Sequence, residues 1–256
     1  MTENGAERQR RIVAWARQQG GVEVTGLAAQ LDVVVETVRR DLVILERRGL
    51  IRRAHGQAFP VDGAGFESSL AYRSRRLVPE KRRIAAAAIE EIGDAETVYL
   101  DEGFTPIVIA HELTKIDRPI TVLTSSLPAA TILGGIAGVT VFVLGGMVRG
   151  LTLATTGHWV AQMLSSFALD VAVIGTNGIS LDRGLTIPTP PLGQVKQVAM
   201  QQARRKVFVG VHTKFGIDSF ARFAGVADFD VLITDDGLPA GKAHQYAAVG
   251  PKVLRV

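Results

Sequence analysis

The chain has 256 residues, 47% of them hydrophobic, and a formal net charge of +4. That is enough apolar material for one small and one medium domain, which excludes general disorder. There is no cysteine, so disulfides, thiolate zinc sites and a cysteine nucleophile are excluded together, and a reducing, cytoplasmic setting is the expectation.

The charge is unevenly spread. Met1–Arg83 carries 16 Lys and Arg against 10 Asp and Glu, whereas Ile84–Val256 carries 13 against 15. A basic front on a slightly acidic body points to an N-terminal part that meets a polyanion. The opening residues, M-T-E-N-G-A-E-R-Q-R-R, hold no apolar core segment, so no secretory signal is expected. Glu7–Gln19 reads as a helix with Ile12, Trp15 and Ala16 on one side, stopped by Gly20 and Gly21. Val24 and Thr25 open a short second helix through Leu31, with Leu27, Ala28 and Leu31 inward.

A third helix is predicted from about Val34 to Arg48. Val38, Leu42 and Leu45 recur there at i, i+4 and i+7, the spacing of one buried face. Glu36, Arg40 and Arg47 lie opposite, with Arg39 on the flank, and Gly49 stands where a helix usually ends. Leu50–Arg53 reads as a short strand and His55-Gly56 as a turn after it. A solvated amphipathic helix would show the same apolar stripe. Exposed arginines at a helix start, followed by a small basic hairpin, are what a winged helix-turn-helix DNA reader needs. The helix would offer side chains to base edges, and the wing would offer cations to phosphate.

The run T-V-R-R-D-L, followed by L-E-x-x-G-L-I-x-R-x-H-G, resembles the signature of the DeoR family of bacterial transcription regulators. The resemblance implies that Thr37, Arg39, Arg40, Arg47, Arg53 and His55 contact double-stranded DNA. Two positions depart from it: Val34 stands where members usually carry Ser, and Gln57 where they carry a second Gly. A serine at a helix start can cap it and touch phosphate. Asp32 and Thr37 are the residues nearby that offer an oxygen instead.

Residues 1–60 are therefore read as the DNA-binding domain, 61–74 as a linker, and 75–256 as a larger α/β domain. The linker begins in the turn-rich P-V-D-G-A-G stretch from Pro60 to Gly65. Glu80–Ile92 reads as a helix with Ile84, Ala88 and Ile92 in line, and its E-K-x-x-I-A start resembles the opening of the family's second domain. The Arg73–Arg83 cluster reads as a solvated helix start. Strands are then predicted at Val98–Asp101, Thr121–Thr124, Val139–Leu144, Val171–Gly175, Val207–Val211 and Val231–Thr234. Helices are predicted at Thr105–Leu113, Leu127–Leu133, His158–Phe167 and Gln194–Ala203. Such alternation argues a largely parallel sheet. Pro119–Val148 holds no charged residue and is long enough to span a bilayer, but prolines, glycines and short β-rich runs make it a buried strand-helix-strand unit instead.

In parallel sheets ligands bind beyond the carboxyl ends of the strands. Five loops fall there: D-E-G-F-T-P (Asp101–Pro106), T-S-S-L (Thr124–Leu127), L-G-G-M-V-R (Leu144–Arg149), I-G-T-N-G-I (Ile174–Ile179) and H-T-K-F-G (His212–Gly216). Each alone is at least as well explained by a tight turn; their convergence at strand ends makes the set a candidate site. The first resembles the D-x-G-T-T loop of DeoR sensor domains, which are related in fold to sugar-phosphate isomerases and deaminases. The resemblance implies a phosphorylated sugar or related effector held by Asp101, Gly103, Thr105, Ser125, Gly145, Gly146, Arg149, Gly175 and Lys214. Phe104 replaces a threonine of that loop, and Leu192 and Val211 stand where members often carry carboxylates, which removes candidate bases for catalysis. No metal-ligand spacing, P-loop or G-x-S-x-G elbow occurs, so no metal or cofactor is expected. The reading is a cytoplasmic, homo-oligomeric repressor of a carbohydrate-metabolism operon, without enzyme activity or membrane contact. The alternatives are a sugar-phosphate enzyme with an accessory DNA-binding domain, and a DNA-binding protein whose second domain only oligomerises.

Overall fold

The computed structural model describes residues 5–19, 21–47, 50–54, 56–60 and 69–256. Gly20 and Gly49, read as helix stops, His55, read as a DNA contact, and residues 61–68 of the predicted linker lie outside them. The chain divides into two compact units, Met1–Arg73 and Ser74–Val256.

The first unit runs α1 (Gly5–Gln19), β1 (Val22–Glu23), α2 (Val24–Leu31), α3 (Val35–Arg47), β2 (Ile51–Ala54), β3 (Gln57–Pro60) and α4 (Leu70–Arg73). Ile12, Ala16, Leu27, Leu31, Val38, Leu42 and Leu45 form its core, with Trp15 packed at the edge, so the apolar stripes fall inward as their spacing requires. Strands β2 and β3 make an antiparallel hairpin closed by Gly56 at φ +74°. Pro60 ends that hairpin opposite Ile51. A third strand, β1, pairs with β3 through Val22–Ala58 and Glu23–Gln57. Two residues are too few to show a period, so only the pairing reveals it.

The second unit holds a seven-stranded sheet. Its strands are β4 (Thr97–Leu100), β5 (Ile120–Thr124), β6 (Val139–Val143), β9 (Leu169–Ile174), β12 (Ala203–Val209), β14 (Val231–Thr234) and β15 (Lys252–Arg255). They lie in the order β15-β14-β12-β9-β4-β5-β6, and every neighbouring pair is parallel. Helices α5 (Val78–Ile92), α6 (Phe104–Leu113) and α7 (Leu127–Leu133) supply one face, and α8 (His158–Leu164), α9 (Pro190–Gln202) and α10 (Ala240–Ala247) the other. The period of two is visible along β9: Val171 and Val173 enter the first core, Ala172 and Ile174 the second. The chain builds outward from β4 to β5 and β6, then returns to β9 on the opposite side. That reversal falls between β4 and β9, the kind of place where parallel sheets form a ligand crevice beyond the carboxyl ends of the strands.

Each predicted strand is present within a few residues, and α7 and β14 match their predicted bounds. The predicted helix His158–Phe167 ends at Leu164, while Gln194–Ala203 begins a turn earlier, at Pro190. Unforeseen from sequence are α10, β15, the hairpin of β7 (Met147–Arg149) with β8 (Ala154–Thr156), and the antiparallel sheet of β10 (Gly178–Ser180), β11 (Gly184–Ile187) and β13 (Ala221–Ala224). Pro119–Val148 folds as β5-α7-β6, as its composition requires. No helix among the described residues is long and apolar enough to cross a membrane.

At their amino ends β4 and β9 are tied by Asp170. The Thr97 hydroxyl donates to its Oδ2 at 2.8 Å, and the Thr97 and Glu96 amides donate at 3.0 and 3.1 Å. The Thr97 hydroxyl contributes most to holding this carboxyl below its ordinary range; partial burial opposes it, and the two amides and Arg204 add to it. A depressed folded pKa gives stability that is present above the unfolded value near 3.8 and lost as pH falls through the folded one. Asp170→Asn is therefore expected to cost about 1–2 kcal/mol at pH 7. The difference from wild type should shrink below about pH 4, read by urea unfolding at both pH values.

Candidate functional site

Helix α3 presents two faces. On the inner one Asp41 is buried beside Val38 and Leu42, and it accepts hydrogen bonds from Arg8 Nε at 2.6 Å and Gln9 Nε2 at 2.8 Å. The helix is thus clamped to α1 by a charge-assisted pair as well as by packing. On the outer one Arg39, Arg40 and Arg47 are exposed, Thr37 is half-buried, and Arg39 Nη1 lies 3.4 Å from Glu36. The Thr37 amide donates to the Val34 carbonyl at 2.9 Å, which closes the first turn through the backbone. Val34 itself is exposed, so the missing serine leaves an apolar side chain at the helix start. The Leu50 amide returns to the Leu45 carbonyl at 2.9 Å, the outer bond of a helix-ending turn.

Arg53 has a second partner that spacing did not reveal. Its backbone amide donates to Glu46 Oε1 at 3.0 Å, and its Nε to Glu46 Oε2 at 2.7 Å. The Arg53 amide, then its guanidinium, hold the Glu46 carboxyl below its ordinary range. The wing strand is thereby fixed to the last turn of α3, and part of the Arg53 charge is compensated within the protein.

In the second unit the loops after β4, β5 and β9 meet at the carboxyl ends of the strands. Asp101 leaves β4 and is 1% exposed; its Oδ2 accepts from the Gly175 amide at 2.8 Å, across the crevice from β9. Lys196, 2% exposed and two turns into α9, makes a short ion pair with the same oxygen. Glu102 Oε1 is 3.9 Å from Lys196. Tyr99 donates to Asp101 Oδ1 at 3.4 Å; burial, and after it the Asp101 charge, push its phenol well above its ordinary range, so it stays a neutral donor. A hydrogen bond with the Ser125 side chain acts in the opposite sense and brings the β5 loop into the group. The structure thus joins Asp101, Ser125 and Gly175, and adds Lys196 and Tyr99, neither of which the sequence singled out. Lys196 lies 95 positions from Asp101, a separation that no local pattern bridges.

The remaining candidates lie on the loops after β4, β6 and β12 and on the β7–β8 hairpin. Gly103 precedes α6 at φ +112° and ψ 177°, and Thr105 lies half-buried in the first turn. Lys81 Nζ lies 5.1 Å from the Phe104 ring centroid, so the phenylalanine that replaces a family threonine meets a cation. Gly145 and Gly146 follow β6. A Cβ at Gly146 would stand 2.7 Å from the Thr156 carbonyl and 2.6 Å from Val160, so only glycine fits there. Arg149 ends β7, and Lys214 ends a short 3-10 turn, His212–Lys214, after β12. Beside that turn His212 pairs with the buried Asp235 at the end of β14 through Nδ1, and its amide donates to Asp235 Oδ1 at 2.7 Å. Leu192 and Val211 are buried in the two apolar cores, so neither position supplies a base.

Residues 77–236 match the DeoR C terminal sensor domain, and residues 8–62 the DeoR-like helix-turn-helix domain. The chain belongs to the DeoR family. This DeoR-family protein is 33% identical to the HTH-type transcriptional regulator GlpR of Haloferax volcanii, over 97% of both chains. It is 33% identical to the HTH-type transcriptional repressor GlcR of Bacillus subtilis, over 90% of this chain and 88% of the other. It is 28% identical to the lactose phosphotransferase system repressor of Staphylococcus epidermidis, over 91% of this chain and 93% of the other. These relatives are transcription regulators, which sets aside the sugar-phosphate enzyme as a reading of the whole chain.

Proposed function

We propose that this DeoR-family chain represses a carbohydrate-metabolism operon in the cytoplasm, under control of a phosphorylated sugar or a related metabolite. Residues 1–60 bind the operator, 61–74 link, and 75–256 sense the effector. The observation that carries the reading is α3, whose outward arginines at the start of the helix are held in place by the buried Asp41 clamp. Thr37, Arg39, Arg40 and Arg47 meet DNA from this helix, and Arg53 and His55 from the wing. Two of the three relatives are named repressors, one of them of a lactose phosphotransferase system, which supports repression and a sugar signal.

The effector site is the crevice where strand order reverses. Gly103, Thr105, Gly145, Gly146, Arg149 and Lys214 line it, while Asp101, Ser125 and Gly175 hold its floor together. Effector binding shifts the DNA-binding equilibrium only by its differential affinity for the two arrangements of the assembly. A single winged helix reads too few base pairs for genomic selectivity, so two or more copies act on a repeated operator. Selection of bound DNA from a random pool, with and without hexose and pentose phosphates, tests the reading. A repeated site whose recovery falls with one of them is expected; recovery of no preferred sequence would overturn it.

Arg40→Ala is expected to cost about 1–3 kcal/mol of specific binding and to relax preference at one base position. Arg53→Ala should weaken all sequences alike and flatten the salt dependence. Binding titrations on selected and scrambled sites at two salt concentrations separate the two. Equal, sequence-blind losses would mean that α3 does not enter the groove by its amino-terminal half.

A further inference from the structure

The second unit carries a face that water does not suit. Eight of the thirteen large hydrophobic residues exposed among those described fall between Phe142 and Met163. Trp159 is 71% and Met147 70% exposed. They belong to one body. Phe142, at the outer strand β6, packs tilted against Phe167 just after α8 with ring centroids 5.4 Å apart. The Gly145 amide donates to Met163 Sδ at 3.4 Å, and Met147 pairs with Thr156 across the β7–β8 hairpin. Trp159 and Met163 stand four residues apart on α8, on the same side of the helix.

Charge says what covers this face. Between Pro119 and Leu169 the only Asp, Glu, Lys or Arg is Arg149. Edge strands of soluble proteins are normally guarded by charges or prolines, and β6 is an edge strand with neither. A strongly charged partner would find only Arg149 to pair with here. A second copy of the same face, by contrast, meets almost no like charge across a two-fold axis and shields apolar area on both sides.

We infer that β6, the β7–β8 hairpin and α8 form the surface by which two copies of this chain pair. The inference deepens the proposal of an oligomeric, effector-controlled regulator and rests on it for its purpose. The hairpin also touches the effector loops: the Thr155 amide donates to the Ser125 carbonyl at 2.8 Å, and the Leu127 amide to the Leu153 carbonyl at 3.0 Å. A ligand that moves the Ser125 loop therefore moves the pairing surface, and through it the spacing of the DNA-binding domains.

Sedimentation velocity of the full chain without DNA, over a range of concentrations, tests this. The wild type should sediment as a dimer or larger. Trp159→Glu and Met147→Asp should each weaken association by about tenfold or more, with circular dichroism and thermal midpoint unchanged. Phe220→Glu, at an exposed aromatic residue outside this face, should not. In the wild type, tryptophan emission should shift to the red on dilution as Trp159 returns to water, a readout that needs no variant to fold. A monomeric wild type, association that survives both charged variants, or dissociation without an emission change would each overturn the inference. DNA binding is read separately: a monomeric variant that still binds a single half-site leaves the regulator reading standing. A wild type that associates but selects no DNA sinks that reading and leaves the interface.

Discussion

Lys196→Met is expected to destabilise the Ser74–Val256 unit by about 3–5 kcal/mol, the usual cost of removing one partner from a buried ion pair. The lysine and Asp101 are both almost wholly excluded from water, and Glu102 lies 3.9 Å from the same ammonium. Without the lysine two carboxylates stay buried with no neighbouring cation from α9, and the Gly175 and Tyr99 donors alone hold Asp101. The double variant Asp101→Asn with Lys196→Met should recover part of the loss, because both charges vanish together. Urea unfolding of the full chain at pH 7 reads the four states of this cycle. If Lys196→Met unfolds within about 1 kcal/mol of wild type, the pair is not what ties α9 to the crevice. If the proposed effector binds at the Asp101 loop, the pair bears on control as well as on stability. It links α9, β4 and, through the Gly175 amide, β9, so an effector that disturbs the Asp101 loop acts on three elements at once.

How much of this was legible beforehand follows from the range of each interaction. The inner face of α3 was readable because its three apolar residues sit within one helix, and the parallel strands because each is a short apolar run bounded by turns. Helix α10 was not, because only Ala243 and Tyr246 of its eight residues are buried, too few to mark a stripe. Strand β1 exists only through its pairing with β3. The crevice is a matter of strand order, which local pattern does not encode; the loops could be placed at strand ends, but not the reversal that gathers them. The buried partners were hidden for the same reason. Asp41 reads as one charge among many in R-R-D-L until Arg8 and Gln9 arrive from α1. Arg53 reads as a wing cation until Glu46, seven positions earlier, is seen to hold it.

Gly103→Val is expected to abolish the effector response while leaving effector-free DNA binding intact. The backbone at Gly103, φ +112° and ψ 177°, lies in a region open in practice to glycine alone, so any side chain adds about 1–3 kcal/mol of strain. A branched side chain would also occupy the approach to the first turn of α6. That turn has few donors to spare. Pro106 has no amide hydrogen, and the Ile107 amide is committed to the Gly103 carbonyl at 3.2 Å, which leaves the Phe104 and Thr105 amides to face an anion. A phosphate there depends on close approach to two amides and the Thr105 hydroxyl, with Lys81 nearby at the Phe104 ring. Thr105→Val removes only the hydroxyl and should weaken the response by about 0.5–1.5 kcal/mol, without the backbone strain. Calorimetric titration of hexose and pentose phosphates into wild type and both variants reads the site. DNA affinity and the thermal midpoint, measured without effector, show whether each variant is folded. Unchanged affinity for a sugar phosphate in folded Gly103→Val would place the effector at another strand end, with the loop after β12 and its His212–Asp235 pair the next to test.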